Sequence, residues 1–161
     1  MLRRKLLFRS CAGGAAVALA LTLAGCTLSP AADPGFEELS ETVSALPGVD
    51  DVSVDGAFDG LPTSRSLTIS ASVDEVAAGD LADLLDRTLA AAWSFDVYEP
   101  SAVSVSFADG AHPVPSGQYP PVLDMTDAVA ELGLDDVSVG KTFLSVPQEQ
   151  MIEHYGEWPA S

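Results

Sequence analysis

The chain has 161 residues, 47% of them apolar, with 24 acidic residues against seven basic ones and a formal net charge of −17. One ordinary domain accommodates that length once a terminal segment is set aside, and such an acidic surface repels nucleic-acid phosphates, so a nucleic-acid partner is excluded. Two cysteines, Cys11 and Cys26, both lie close to the N-terminus, so the rest of the chain holds no disulfide and must fold by packing alone.

The first predicted element is an export signal. Met1 to Arg9 carry Arg3, Arg4, Lys5 and Arg9, and Cys11 to Ala24 form an uncharged stretch rich in Ala, Leu and Val. A span of ~20 apolar residues is needed to cross a bilayer, and Arg9 blocks extension backwards, so a cleaved signal fits better than a permanent helix. The run ends in Leu23-Ala24-Gly25-Cys26, which resembles the lipobox of bacterial lipoproteins. The resemblance implies a diacylglycerol on the Cys26 thiol, cleavage just before it with Leu23, Ala24 and Gly25 as the peptidase recognition residues, and acylation of the new amino group by a fatty acid such as palmitate. It covers the first 26 residues only. Cys11 fails the pattern because Phe8-Arg9-Ser10 precedes it, and Lys5-Leu6-Leu7 after Arg3-Arg4 matches a twin-arginine signal poorly, leaving general secretion.

Three segments follow: a signal peptide at 1–25, a lipidated cysteine and tether at 26–35, and a domain at 36–161. Cleavage leaves Arg65, Arg87 and Lys141 against all 24 acids, a net charge of −21. Two acyl chains hold stably where one is marginal, at about 0.8 kcal/mol per buried methylene. The tether lacks hydrophobic periodicity and reaches about 30 Å when extended.

Within the domain, Phe36, Leu39, Val43 and Leu46 recur at helical spacing opposite Glu37, Glu38 and Glu41, and Pro47-Gly48 ends that helix. Val52, Val54 and Phe58 mark a strand whose count Ala57 interrupts. Leu67, Ile69, Ala71 and Val73 alternate with Thr68, Ser70 and Ser72 as the cleanest strand. Leu81, Leu84, Leu85, Leu89 and Ala92 predict a second helix closed by Trp93 and Phe95, and Val103, Val105 and Phe107 a third strand. The Pro-rich segment Ala111 to Pro121 reads as an extended connection with no ladder of its own. A helix from Thr126 to Leu132, a strand from Val137 to Val146 and a short helix bearing Met151, Ile152 and Tyr155 complete the chain.

Leu46-Pro47-Gly48-Val49-Asp50-Asp51-Val52-Ser53-Val54 is echoed by Leu132-Gly133-Leu134-Asp135-Asp136-Val137-Ser138-Val139, which predicts two equivalent helix-to-strand corners turned at a left-handed glycine. The order α-β-β-α-β-α-β-α defines an α+β class: a small sandwich with a mainly antiparallel sheet of about four strands and two or three helices on one face. Its first five elements follow a ferredoxin-like sandwich lacking the first strand, with the fourth strand available to fill that edge. They also follow the order of the BON domain of bacterial envelope proteins, without the Gly-flanked hairpin typical of BON sequences.

The chemistry-bearing residues do not assemble into a motif. His112 sits in the Pro-rich connection, and no Ser lies in a Gly-x-Ser-x-Gly setting. Glu153, His154 and Glu157 share a helix side but fall short of a zinc set, and Asp50, Asp51, Asp55 and Asp59 lack the spacing of an EF-hand loop. Trp93, Phe95, Tyr98, Tyr119 and Trp158 offer either a groove or, for Trp93 and Phe95 especially, core. No cofactor, metal or catalytic residue is therefore expected. The reading is a non-enzymatic lipoprotein on the extracytoplasmic face of the cell membrane, bound to it through its lipid and engaging an envelope protein or polymer. The alternatives are an enzyme using surface carboxylates, or a metal- or small-ligand-binding lipoprotein.

Overall fold

Amphipathic helices and strands follow one another along the chain, and all but one two-residue strand contribute apolar side chains to a shared core. The computed structural model describes residues 34–60, 64–75, 78, 80–110, 118 and 120–159. The elements are α1 (Pro34–Ser44), β1 (Val49–Phe58), β2 (Arg65–Val73), α2 (Leu81–Trp93), β3 (Ala102–Asp109), α3 (Thr126–Leu132), β4 (Ser138–Val139), β5 (Leu144–Pro147) and α4 (Gln148–Tyr155). The strands form one sheet in the order β1-β2-β3-β5-β4.

The α+β class holds, with a five-stranded mixed sheet and four helices among the described residues. Two details differ from the expectation. The single strand expected from Val137 to Val146 is a hairpin: Gly140 N–H donates to Phe143 C=O at 2.8 Å, which folds β4 back onto β5. The ferredoxin-like arrangement is not formed either. Crossing over through α2 delivers β3 directly beside β2 and parallel to it, with Leu67 opposite Val103, so no strand separates them. The other three pairings are antiparallel.

Register explains the two faces of the sheet. Leu67, Ile69, Ala71 and Val73 align with Val103, Val105 and Phe107, and these with Leu144 and Val146, and all are buried. Leu39 and Val43 of α1, Leu84, Leu85, Leu89, Ala92 and Trp93 of α2, Val129 of α3 and Met151 of α4 join them in one core cluster. At ~1.5–3 kcal/mol for each large apolar side chain removed from water, this cluster is the main source of stability. The opposite face carries only short side chains in its central strands: Thr68, Ser70 and Ser72 on β2, Ser104, Ser106 and Ala108 on β3, and Ser145 on β5.

The Pro-rich connection is less free than expected at its end. Residues 111–117 and Tyr119 lie outside the described residues, but Pro121 C=O accepts from Asp109 N–H and Leu123 N–H donates to Phe107 C=O, each at 2.8 Å. This short stretch continues along β3 beyond the part that β5 covers.

The two corners share a left-handed glycine, Gly48 at φ 77° and Gly133 at φ 67°. Their hydrogen bonds differ. After α3, Leu134 N–H reaches back to Val129 C=O and Leu134 is buried under the helix. After α1, Pro47 has no N–H to give, and Val49, the residue after Gly48, donates to Leu46 C=O, a shorter turn than that from Leu134 to Val129. Each corner delivers an edge strand, β1 on one side of the sheet and β4 on the other.

Side chains far apart in sequence tie the C-terminal segment to α2. The Trp93 indole N–H donates to Gly156 C=O and the Trp158 indole N–H to Phe95 C=O, both at 2.8 Å. Tyr155 O–H donates to Asp86 Oδ1 at 2.8 Å. Burial, reinforced by that bond and by the Asp86 charge, pushes the Tyr155 phenol well above its ordinary pKa.

Candidate functional site

Cys26, with Leu23, Ala24 and Gly25, lies outside the described residues, as do His112 and Tyr119. No described helix is long and apolar enough to cross a membrane. The remaining candidates can be placed individually.

The acidic run along β1 does not converge. Asp51 and Asp55 point to the open face of the sheet, where Asp55 accepts from Ser53 Oγ at 3.1 Å. Asp59 accepts from Ser101 Oγ at 2.6 Å. On α4, Glu153 accepts from Gln150 Nε2 at 3.1 Å, while His154 Nε2 stands 3.6 Å from Asp86 Oδ1 and its ring packs on Tyr155. Among the described residues no group of three His, Cys, Asp or Glu side chains is arranged to hold a metal ion.

The described aromatic residues pack into core and seam, and Phe95 also lines a small cleft. Trp93 and Phe95 are buried, and the Trp158 indole N–H is committed to the Phe95 carbonyl. Tyr98 packs edge-on to Phe95 with centroids 5.2 Å apart, and Phe36 stacks on Phe95 at 5.6 Å. The Arg65 guanidinium covers the Tyr98 ring at 3.8 Å and lies 5.2 Å from the Phe58 ring. In the sequence Phe36 is legible only as a helix position and Arg65 only as one of three cations, because nothing local signals that a residue opening β2 meets rings from β1 and from the loop after α2.

The surface of the described residues includes the following three clefts. One, of about 360 Å³, is lined by Asp74, Asp80, Asp83 and Leu84 with Arg87, and Arg87 Nε is bound to Asp83 at 2.9 Å. Another, of about 350 Å³, includes Asp124, Thr126, Val139 and Lys141. There the Thr126 hydroxyl and its backbone N–H both donate to Asp124 and hold its carboxyl below the usual carboxylate range. The third, about 150 Å³ between α1 and the end of α2, has Glu38, Thr42 and Ser94 around Phe95. In none of the three does a serine, threonine or cysteine nucleophile share the lining with a histidine.

The outer side of β1 has a more defined chemistry. β1 is a ten-residue strand at the end of the sheet, and no described strand pairs with its far side. Asp59 N–H donates to Ser64 C=O at 2.9 Å, which fixes the phase of the antiparallel ladder. Ala57, Asp55, Ser53 and Asp51, at two-residue steps, therefore direct their main-chain groups to β2. Val52, Val54, Gly56 and Phe58 direct theirs outward. Ser40 Oγ of α1, which donates to Val52 C=O at 3.4 Å, is consistent with that phase. Asp50, Asp51, Asp55 and Asp59 are exposed along this edge, and Phe58 at its end is 64% exposed.

Comparison with known proteins finds no matching family model, no matching curated protein and no matching solved structure.

Proposed function

We propose that the chain is an extracytoplasmic lipoprotein, held on the outer face of the cell membrane by a diacylglycerol on Cys26, whose α+β domain is a non-catalytic binding module for an envelope protein or polymer. The observation that carries this reading is Leu23-Ala24-Gly25-Cys26 at the end of the uncharged stretch that follows Arg9. The order α1-β1-β2-α2-β3 follows that of the BON domain and supports an envelope setting. A ten-residue strand edge that no described strand covers favours a binding role.

The reading has a direct chemical test. Cells expressing the full chain and fed labelled palmitate are expected to place label on the protein and the protein in the membrane fraction. Cys26→Ser should lose the label and leave either uncleaved precursor or unanchored protein, whereas Cys11→Ser should keep both label and location. Label persisting on the Cys26→Ser protein would refute the anchor.

A further inference from the structure

We infer that the outer edge of β1 is a docking strand for an extended, cationic segment of a partner protein, with Lys or Arg alternating with small or apolar residues. The inference rests on the reading of this domain as a binding module. Its geometric basis is the ladder phase: Val54, Gly56 and Phe58 present both N–H and C=O outward, and Val52 its N–H, on a sheet edge that no described strand covers. A strand laid along that edge gains main-chain hydrogen bonds whatever its sequence. Its side chains alternate between the two faces of the sheet, and this sets the preference.

On the open face the added side chains stand beside Asp51 and Asp55, with Cβ separations of roughly 4.5–5.5 Å for directly opposed residues. Inward of those carboxylates this face carries Thr68, Ser70 and Ser72, so a long cationic side chain meets the carboxylates with nothing bulky in the way. On the helix face the neighbours are Val52 and Val54, partly buried, and Ser40 of α1, which suit short or apolar side chains.

Charge selects the occupant. A second copy paired edge to edge would bring a net charge of −21 against −21 and set Asp51 and Asp55 against their counterparts. The mature chain cannot supply a cationic strand itself, because its basic residues are only Arg65 in β2, Arg87 in α2 and Lys141 in the β4–β5 turn. Carboxylates that repel acidic or self strands at this edge attract a basic one, so the same residues exclude and select.

The test uses the full-length acylated protein in zwitterionic micelles and a short peptide alternating Lys and Val. Amide exchange at Val54, Gly56 and Phe58 should slow on binding, while Ser53 and Asp55, already in the ladder with β2, should change little. A peptide of the same composition with its Lys and Val in separate blocks should bind about tenfold more weakly, and one N-methylated on the amides facing β1 should lose a similar factor against unaltered protein. Val54→Pro, which removes an outward N–H that is not directed at any described strand, and the pair Asp51→Lys with Asp55→Lys should each weaken binding by about tenfold or more. The inference is overturned if the alternating peptide does not bind, if it and the block peptide bind equally, if N-methylation is without effect, or if protection falls elsewhere. Lipid labelling at Cys26 is read separately, so failure of the peptide leaves the anchor standing and failure of the anchor leaves the edge measurable.

Discussion

Trp93→Ala is expected to lower the unfolding free energy by ~3–5 kcal/mol, as large aromatic truncations in packed cores do. Trp93 closes α2, is fully buried within the core cluster, and donates its indole N–H to Gly156 C=O. Truncation therefore opens a cavity between helix and sheet and also removes the donor that ties the C-terminal segment to α2. Total stability of a domain is commonly about 5–15 kcal/mol, so this one change should bring the protein close to its unfolding threshold. Urea denaturation should show a much lower midpoint with an unchanged slope. Trp93→Phe should recover most of the packing and leave the deficit of the lost hydrogen bond, about 0.5–1.5 kcal/mol. A Trp93→Ala protein with near-native stability would show that the helix layer is not packed on the sheet as described.

Gly56→Val is the second large effect, and here two physical arguments oppose each other. Strand propensity favours Val over Gly, and Gly in a strand interior normally weakens it. Sterics say the reverse, since a Cβ at residue 56 would lie 2.7 Å from Phe36 Cζ and 2.7 Å from the Tyr98 hydroxyl. Neither ring is free to give way: Phe36 stacks on Phe95, and Tyr98 donates to Ser66 C=O at 3.1 Å while carrying the Arg65 guanidinium on its face. Overpacking costs of ~1–3 kcal/mol exceed the propensity gain, so Gly56→Val should destabilise and should disturb the near-ultraviolet signal of the aromatic cluster. Stabilisation by Val would show that the cluster has slack there.

That glycine also marks where sequence pattern stopped being informative. Val52 and Val54 signal an inward face and Ala57 interrupts the count, yet position 56 belongs to the same face and is Gly because two rings occupy the space. Alternation in Leu67–Val73 was legible because both faces obey it, the apolar set buried and the hydroxyl set outward. The third helix came out at its sequence-predicted bounds, Thr126–Leu132, since Gly133 ends it locally. What the sequence hid is non-local. The parallel pairing of β2 with β3 depends on the crossover through α2, and the anchoring of Gly156 by Trp93 joins residues 63 positions apart. The break between β4 and β5 rests on the Gly140-to-Phe143 bond inside a run that otherwise reads as one strand.

The two parts of the candidate function differ in the same way. The proposed lipobox, Leu23-Ala24-Gly25-Cys26, is a linear pattern and is legible without any fold. A docking edge exists only through what lies on either side of a strand. Asp51 and Asp55 were visible as acids, but their relation to the outward groups of Val54 and Gly56 required the pairing with β2.

The anchor is tested most directly by the accurate mass of the N-terminal peptide of protein extracted from membranes. A chain beginning at Cys26 and carrying a thioether-linked diacylglycerol, with or without an N-acyl group, is the expected result. A chain beginning at any other residue, or an unmodified Cys26, would contradict it.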